Sequence, residues 1–238
     1  MATTPLVSSD LPTIRAVDRT TRKTLKGASN DQFQHQSMYI AIAGNIGSGK
    51  SLLAELLAQR LGWALSTDVA ENPYIDDFYE NMRGWSFQLQ IYFLGMRLRL
   101  LDHALKSADN IIVDRTIYED AEVFARNLSN QSLIYSRDWK SYYDLYSVII
   151  ERFAQPDLLI YLRASAKTLA RNIKKRGRAY EAGIDIKYLK NLNELYEDWT
   201  FSYNGNLLTI DIDEQNFISS PTAREQVLDQ ITKIANSR

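Results

Sequence analysis

Met38-Tyr39-Ile40-Ala41-Ile42-Ala43-Gly44-Asn45-Ile46-Gly47-Ser48-Gly49-Lys50-Ser51 is the stretch on which the fold turns. Its first half is a short apolar run. Its second half reads G-x-x-x-x-G-K-S, from Gly44 to Ser51. Leu52 to Leu61 follows with apolar residues at helical spacing. Strand, glycine-rich loop and helix, in that order, is the context in which this motif cradles phosphate. The glycines let the backbone approach phosphate oxygens that a Cβ would keep away. Successive N–H groups and the helix N-terminus present partial positive charge to an anion. Lys50 is placed to reach the β- and γ-phosphates, and the Ser51 hydroxyl to hold Mg²⁺. Asn45, Ile46 and Ser48 complete the expected cradle.

Composition sets the frame around this motif. The 238 residues, 45% apolar and 24% charged, suffice for one α/β domain with a sizeable core. The formal net charge of -1 gives no global field toward nucleic acid or an anionic membrane, so neither is expected as a partner. Cysteine is absent, which excludes disulfides, a thiolate metal site and a cysteine nucleophile. No run approaches the roughly 18 apolar residues of a membrane span.

Residues 1–37 read as an arm, and 38–238 as the catalytic domain. The arm is rich in Ser, Thr and charge, with Arg15, Arg19, Arg22, Lys23 and Lys26 set against Asp10, Asp18 and Asp31. Such a segment is a disordered leader or takes order on a surface, and a neighbouring subunit is the surface expected. A mitochondrial targeting peptide is the alternative, against which the three aspartates argue. A cytoplasmic protein is otherwise the expectation.

Beyond the loop, strands of about five residues alternate with helices. Trp63 to Val69, Asn110 to Asp114, Asp157 to Leu162 and Leu207 to Asp211 read as strands. Helices are expected from Pro73 at its first position, over Trp85 to Leu105, Ile117 to Leu128, Trp139 to Phe153, Ala166 to Lys175, Ile186 to Tyr203 and Pro221 to Ile234. The pattern predicts an α/β fold, a five-stranded parallel sheet with helices on both faces. Trp139, Tyr142, Tyr143 and Tyr146, at helical spacing, suit a core or a subunit interface. His35 and His103 have no discernible role.

A phosphate loop separates neither a kinase from a GTPase nor either from a motor. No Asn-Lys-x-Asp guanine-reading motif occurs, which weakens the GTPase reading. Asp114-Arg115-Thr116 closes a buried strand; Asp114 can hold the metal or its waters, and Arg115 the transferring phosphoryl group. The same residues would also make an exposed strand-end ion pair. Arg176-Gly177-Arg178 can close over the γ-phosphate as a lid, or be a solvated helix end favoured by the dipole. Glu71, at a strand's C-terminal edge, can take a proton from an acceptor hydroxyl. Alone, it reads equally well as a surface carboxylate.

Taken together, Gly44–Ser51, Glu71 before a proline, Trp85-Ser86-Phe87-x-x-Gln90, Asp114-Arg115-Thr116-x-x-x-Asp120 and Arg176-x-Arg178 resemble the deoxyribonucleoside kinases in order and spacing. These are the deoxycytidine, deoxyguanosine and deoxyadenosine kinases and the insect multisubstrate enzyme. The resemblance runs from about Met38 to Phe217 and implies a P-loop kinase fold with an arginine-bearing lid. It implies that Glu71 is the general base for the nucleoside 5′-hydroxyl. Arg115 would contact that hydroxyl and the transferred phosphate, with Asp114 near Mg²⁺. Tyr79 and Glu181 would bind the sugar 3′-hydroxyl. Gln90 and Asp120 would read the base edge, with Arg97 beside them, and Phe124 would stack on the base. Arg176 and Arg178 would grip the ATP phosphates, and Asp211 to Phe217 would cover the adenine of ATP. A homodimer or homotetramer is implied as well.

The chain departs from this pattern in three places. Asn72 stands between Glu71 and Pro73, Asn172 replaces a lid arginine, and the Asp211–Phe217 loop is one residue longer than in some relatives. The stretch Asp114–Asp120 looks closest to the purine-preferring members, so deoxyadenosine is the expected substrate, with ATP as donor and Mg²⁺ as metal. The rivals are deoxyguanosine or deoxycytidine kinase, another small-molecule kinase, and a nucleotide-binding switch without acceptor chemistry.

Overall fold

The computed structural model describes residues 38–67, 72–178, 181 and 183–237. The arm, 1–37, and Glu71 lie outside the described residues. Five parallel strands form one sheet: β1 (Met38–Gly44), β2 (Ala64–Ser66), β3 (Asn110–Asp114), β4 (Leu158–Arg163) and β5 (Leu207–Asp211), in the order β2-β3-β1-β4-β5. β1 is central and buried along its whole length. Its neighbours lie on opposite sides of it in the sheet, and β1 passes directly into the phosphate loop. Open α/β sheets bind ligands at such a crevice.

The strand period of two divides the core. Ile40 and Ile42 join Ile112 and Ile160 on one face, beneath α1 (Lys50–Leu61), α7 (Ala166–Arg176) and α9 (Pro221–Asn236). Tyr39, Ala41 and Ala43 join Ile111 and Leu159 on the other, beneath α3 (Met82–Ser107), α4 (Ile117–Glu119) and α6 (Ser136–Ile150). Truncating a fully buried residue such as Ile40 to alanine would cost about 2–5 kcal/mol. Tyr142 and Tyr146 are core residues of the second face, with Trp139 and Tyr143 half-buried beside them.

Four helices start or run differently from the expectation, α6 by opening at Ser136, three residues ahead of Trp139. The short helix α2 (Ile75–Glu80) begins two residues after Pro73. Asn72 makes the turn: its side-chain oxygen accepts from Tyr74 N at 2.9 Å, and its carbonyl from Ile75 N at 3.2 Å. This Asx geometry sets the helix entry in place of proline. α3 begins at Met82, ahead of Trp85, because the Asn81 side chain caps it through Gly84 N. The helix expected over Ile117 to Leu128 is not α-helical throughout. Between α4 and α5 (Arg126–Asn130) it widens into a π-helical segment, Asp120–Ala125. Such segments concentrate at functional sites. α8 (Ile186–Phe201) completes the helices that frame the site.

Candidate active site

A cavity of about 190 Å³ is lined by Lys50 and Ser51 at one end and by Gln90, Arg97, Asp120 and Phe124 at the other. Tyr79, Arg115, Arg176, Arg178 and Glu181 line it between and above. Residues from six helical segments and four loops thus meet in one space. The described part of its wall carries the cations Lys50, Arg97, Arg115, Arg176 and Arg178 against the carboxylates Asp120 and Glu181. That excess of positive charge suits a polyanion.

At the phosphate end, the loop is tied down from below. Lys50 is buried and donates to the carbonyls of Gly44 at 2.7 Å and Asn45 at 3.0 Å. Asn45 donates to Leu189 O at 2.9 Å and Asn193 Oδ1 at 2.7 Å, while its own oxygen accepts from Ile46 N at 2.7 Å. Asn172 donates to Gly47 O at 2.9 Å, so the residue that stands in place of a lid arginine holds the loop. Gly47 has φ +84°, and a Cβ there would lie 2.9 Å from Leu169 O and Ile173 Cγ1. Its glycine is required by the backbone and by α7 packed against it, not by phosphate approach alone.

Arg115 sits at the centre with φ 71°, left-handed backbone for a non-glycine residue. Such a conformation costs about 1–3 kcal/mol and persists where its surroundings impose it. Its N–H donates to Ile42 O at 3.0 Å, which pins the loop to the end of β1. Its guanidinium lies 4.5 Å from the Phe124 ring centroid, a cation–π contact.

At the far end, Arg97 Nε donates to Asp120 Oδ2 at 2.5 Å, and both residues are buried. Gln90 is 3% exposed, and its Oε1 has no hydrogen-bond partner among the described residues. A buried acceptor left in that state costs about 1–3 kcal/mol. Asp120 and Phe124 reach the cavity from the π-helical segment. Near the lid, Arg176 clasps Glu181 through two nitrogens, at 2.6 and 3.1 Å, with Arg178 at 3.7 Å.

Of the expected loop residues, Ile46, Gly47, Lys50 and Ser51 line the cavity, whereas Gly44, Asn45, Ser48 and Gly49 do not, and three further expected residues lie elsewhere. Asp114 is buried at the end of β3 and lines a separate hollow of about 10 Å³ with Ser66, Thr67 and Arg115. Phe217 is fully buried in the core, 3.1 Å from where a Cβ on Gly49 would sit. Asp211 pairs with Arg163 at 3.1 Å and caps its own turn through Asp213 N.

Sequence reasoning missed several others. Tyr188 lines the cavity; burial pushes its hydroxyl up to about 12, against the pull of the Arg115 charge, so it stays a neutral donor at physiological pH. Glu119 is fully buried, and its signal was legible, because Thr116-x-x-Glu119 is a capping box. Tyr196, packed against Phe124, carried no signal at all.

Mg²⁺ fits this donor set. Among the described residues no three His, Asp or Glu gather into a cage. The exposed Ser51 hydroxyl lies in the cavity wall beside Lys50. Mg²⁺ is ordinarily held by one or two protein oxygens, with substrate phosphates and water completing its shell.

Comparison with known proteins identifies the family. The family model for deoxynucleoside kinase matches residues 40–236. The deoxyadenosine/deoxycytidine kinase of Bacillus subtilis (strain 168) is 33% identical over 199 residues, 82% of this chain and 92% of that protein. The same organism's deoxyguanosine kinase is 34% identical over 206 residues, 82% of this chain and 97% of that one. The structure of M. mycoides deoxyadenosine kinase with the products dCMP and a flexible dCDP bound superposes with a TM-score of 0.74 at 31% identity, covering 84% of this chain and all of that one. A phosphate loop and an amide-bearing pocket sharing one cavity, in a chain matched over this span, make the protein a kinase of the deoxynucleoside kinase family.

Proposed function

We propose that the enzyme transfers the γ-phosphoryl group of ATP to the 5′-hydroxyl of deoxyadenosine, giving the 5′-monophosphate for nucleoside salvage. The observation that carries this reading is the buried Gln90 Oε1, which has no partner among the described residues and belongs to the same cavity as Lys50 and Ser51. An acceptor in that position suits an exocyclic amino group, which adenine and cytosine present on their pairing edges. Guanine presents a carbonyl there and mispairs. Thymine adds a methyl group where the Arg97–Asp120 pair takes the space. Deoxyguanosine or deoxycytidine as preferred substrate is the alternative within the same family.

The roles follow from position. The Gly44–Ser51 backbone and Lys50 bind the donor's phosphates, and Lys50 exchanges its two carbonyl partners for them. Ser51 would hold Mg²⁺, and Asp114, from the separate hollow that Arg115 also lines, would hold the metal's waters; the ion would supply charge neutralisation on the donor phosphates. Arg115 stabilises the transferring group from above Phe124. Phe124 stacks on the base, Gln90 and Asp120 read its edge beside Arg97, and Tyr79 with Glu181 takes the 3′-hydroxyl. Glu71 is the general base in this reading. Arg176 must share or release Glu181 when it turns to phosphate. Asp211 and Phe217 would shape the adenine end of the donor site, Phe217 from the core against Gly49 and Asp211 through the turn it caps.

We further assign a homodimer or homotetramer, consistent with the exposed Leu145 and Val148 on α6, and a cytoplasmic location. The experiment that tests the substrate assignment is a steady-state comparison of the four deoxynucleosides with ATP. A mispaired buried hydrogen bond of about 1–3 kcal/mol converts to roughly ten- to hundredfold in kcat/KM. Deoxyadenosine is expected first, deoxycytidine and deoxyguanosine behind, thymidine last. Thymidine as the best substrate would end the base-pocket assignment of Gln90, Arg97 and Asp120.

A further inference from the structure

We propose that Tyr196 and Glu119 are positioning residues for phosphoryl transfer, which hold the Gly44 peptide in place so that Lys50 can leave it for the donor phosphates. The inference rests on the kinase reading of the cavity. Both side chains are fully buried, and neither lines the cavity.

The geometry centres on Gly44. Its carbonyl accepts from Lys50 Nζ at 2.7 Å and from the Tyr196 hydroxyl at 2.8 Å. Its N–H donates to Glu119 Oε1 at 3.1 Å. The Tyr196 hydroxyl also stands 2.7 Å from that same Oε1. The other oxygen of Glu119 accepts from Thr116 N at 2.9 Å and from its hydroxyl at 3.3 Å. One carboxylate therefore joins the first residue of the phosphate loop to the residue following Arg115. The loop and the phosphoryl-stabilising arginine are held in one register.

The Tyr196 hydroxyl carries one proton and faces two acceptors. While Lys50 covers the Gly44 carbonyl, the hydroxyl serves Glu119. When Lys50 moves to phosphate, the carbonyl is buried without its lysine, and the hydroxyl can turn to it. Glu119 keeps the N–H groups of Gly44 and Thr116 throughout. The exchange lowers the cost of releasing Lys50, because a buried acceptor stripped of its donor is the expensive state. Removing the hydroxyl leaves the carbonyl more dependent on Lys50 and holds the lysine back.

Tyr196→Phe in the full chain tests this directly. The ring stacks on Tyr161 at 5.6 Å and meets Phe124 edge-on at 6.3 Å, and phenylalanine preserves both contacts. The expected result is a fall of about tenfold in kcat/KM for ATP, one hydrogen bond's worth. The deoxynucleoside dissociation constant measured without ATP stays within about twofold. Glu119→Gln, which sets an amide against backbone N–H donors, should lower kcat/KM for ATP in the same pattern and carries the test if the phenylalanine variant does not fold. Unchanged kcat/KM for ATP in an active, folded variant would overturn the proposal. So would equal losses in ATP kinetics and nucleoside binding, the signature of general loosening. A wild-type chain inactive with every deoxynucleoside would overturn the kinase reading and this inference together.

Discussion

Replacing Asp120 by alanine removes the carboxylate that faces the Arg97 guanidinium at 2.5 Å, in a place where the two residues are 2% and 6% exposed. Deleting one member of such a buried pair costs about 3–5 kcal/mol, chiefly the desolvation of the remaining charge. Domains of this size carry roughly 5–15 kcal/mol in all, and each kcal/mol moves the midpoint by about 2–4 °C. Asp120→Ala should therefore melt about 6–20 °C below wild type. Arg97→Met with Asp120→Ala removes both charges and leaves an apolar stem in the space. That double variant should recover to within about 1–2 kcal/mol of wild type, since buried pairs replaced as a unit are often neutral. The coupling follows from urea denaturation of the wild type, both single variants and the double. The double variant should also gain thymidine turnover relative to deoxyadenosine, because the space beside the pyrimidine 5-methyl opens. An Asp120→Ala protein within about 1 kcal/mol of wild type would refute the electrostatic reasoning. A double variant whose loss equals the sum of the single losses would refute it as well.

Two further expectations concern residues outside the described ones. Glu71→Gln should lower kcat about 10²-fold or more, the usual weight of a general base, with nucleoside affinity little changed; a near-normal kcat would remove Glu71 from the mechanism. Deleting residues 1–30 should leave kcat intact but change the assembly or lower its stability; identical light-scattering mass and melting temperature would show that the arm does not hold subunits together.

Much of this architecture was legible because it rests on local chemistry. β1, the phosphate loop and α1 follow from glycine spacing and an apolar run, and β3, β4 and β5 from short apolar segments at regular intervals. Gln90, Arg97, Asp120 and Phe124 were named from the resemblance, and the structure brings them into one cavity. The rest depends on long-range contacts or on hydrogen bonds that sequence does not display. The π-helical stretch needs backbone bonds one residue longer than a helix offers, and Asp120-Ala121-Glu122-Val123-Phe124 carries no mark of it. Asn72 and Asn81 set helix entries through their side chains, overriding the reading from Pro73 and Trp85. Tyr196 lies 152 residues from Gly44 in sequence and touches it in space. Phe217 is absent from the cavity wall because it fills the core against Gly49, and Asp211 pairs with Arg163 at the end of β5.

The central claim is that one cavity holds both the donor phosphates and the acceptor hydroxyl. It is tested most directly by incubating the full chain with ATP, Mg²⁺ and deoxyadenosine, and measuring ADP and nucleoside 5′-monophosphate together. Wild type should form the two products in equal amounts, with ADP release dependent on the nucleoside, and Lys50→Ala should form neither. Release of ADP at the same rate without nucleoside, or monophosphate formation undiminished in Lys50→Ala, would contradict the account.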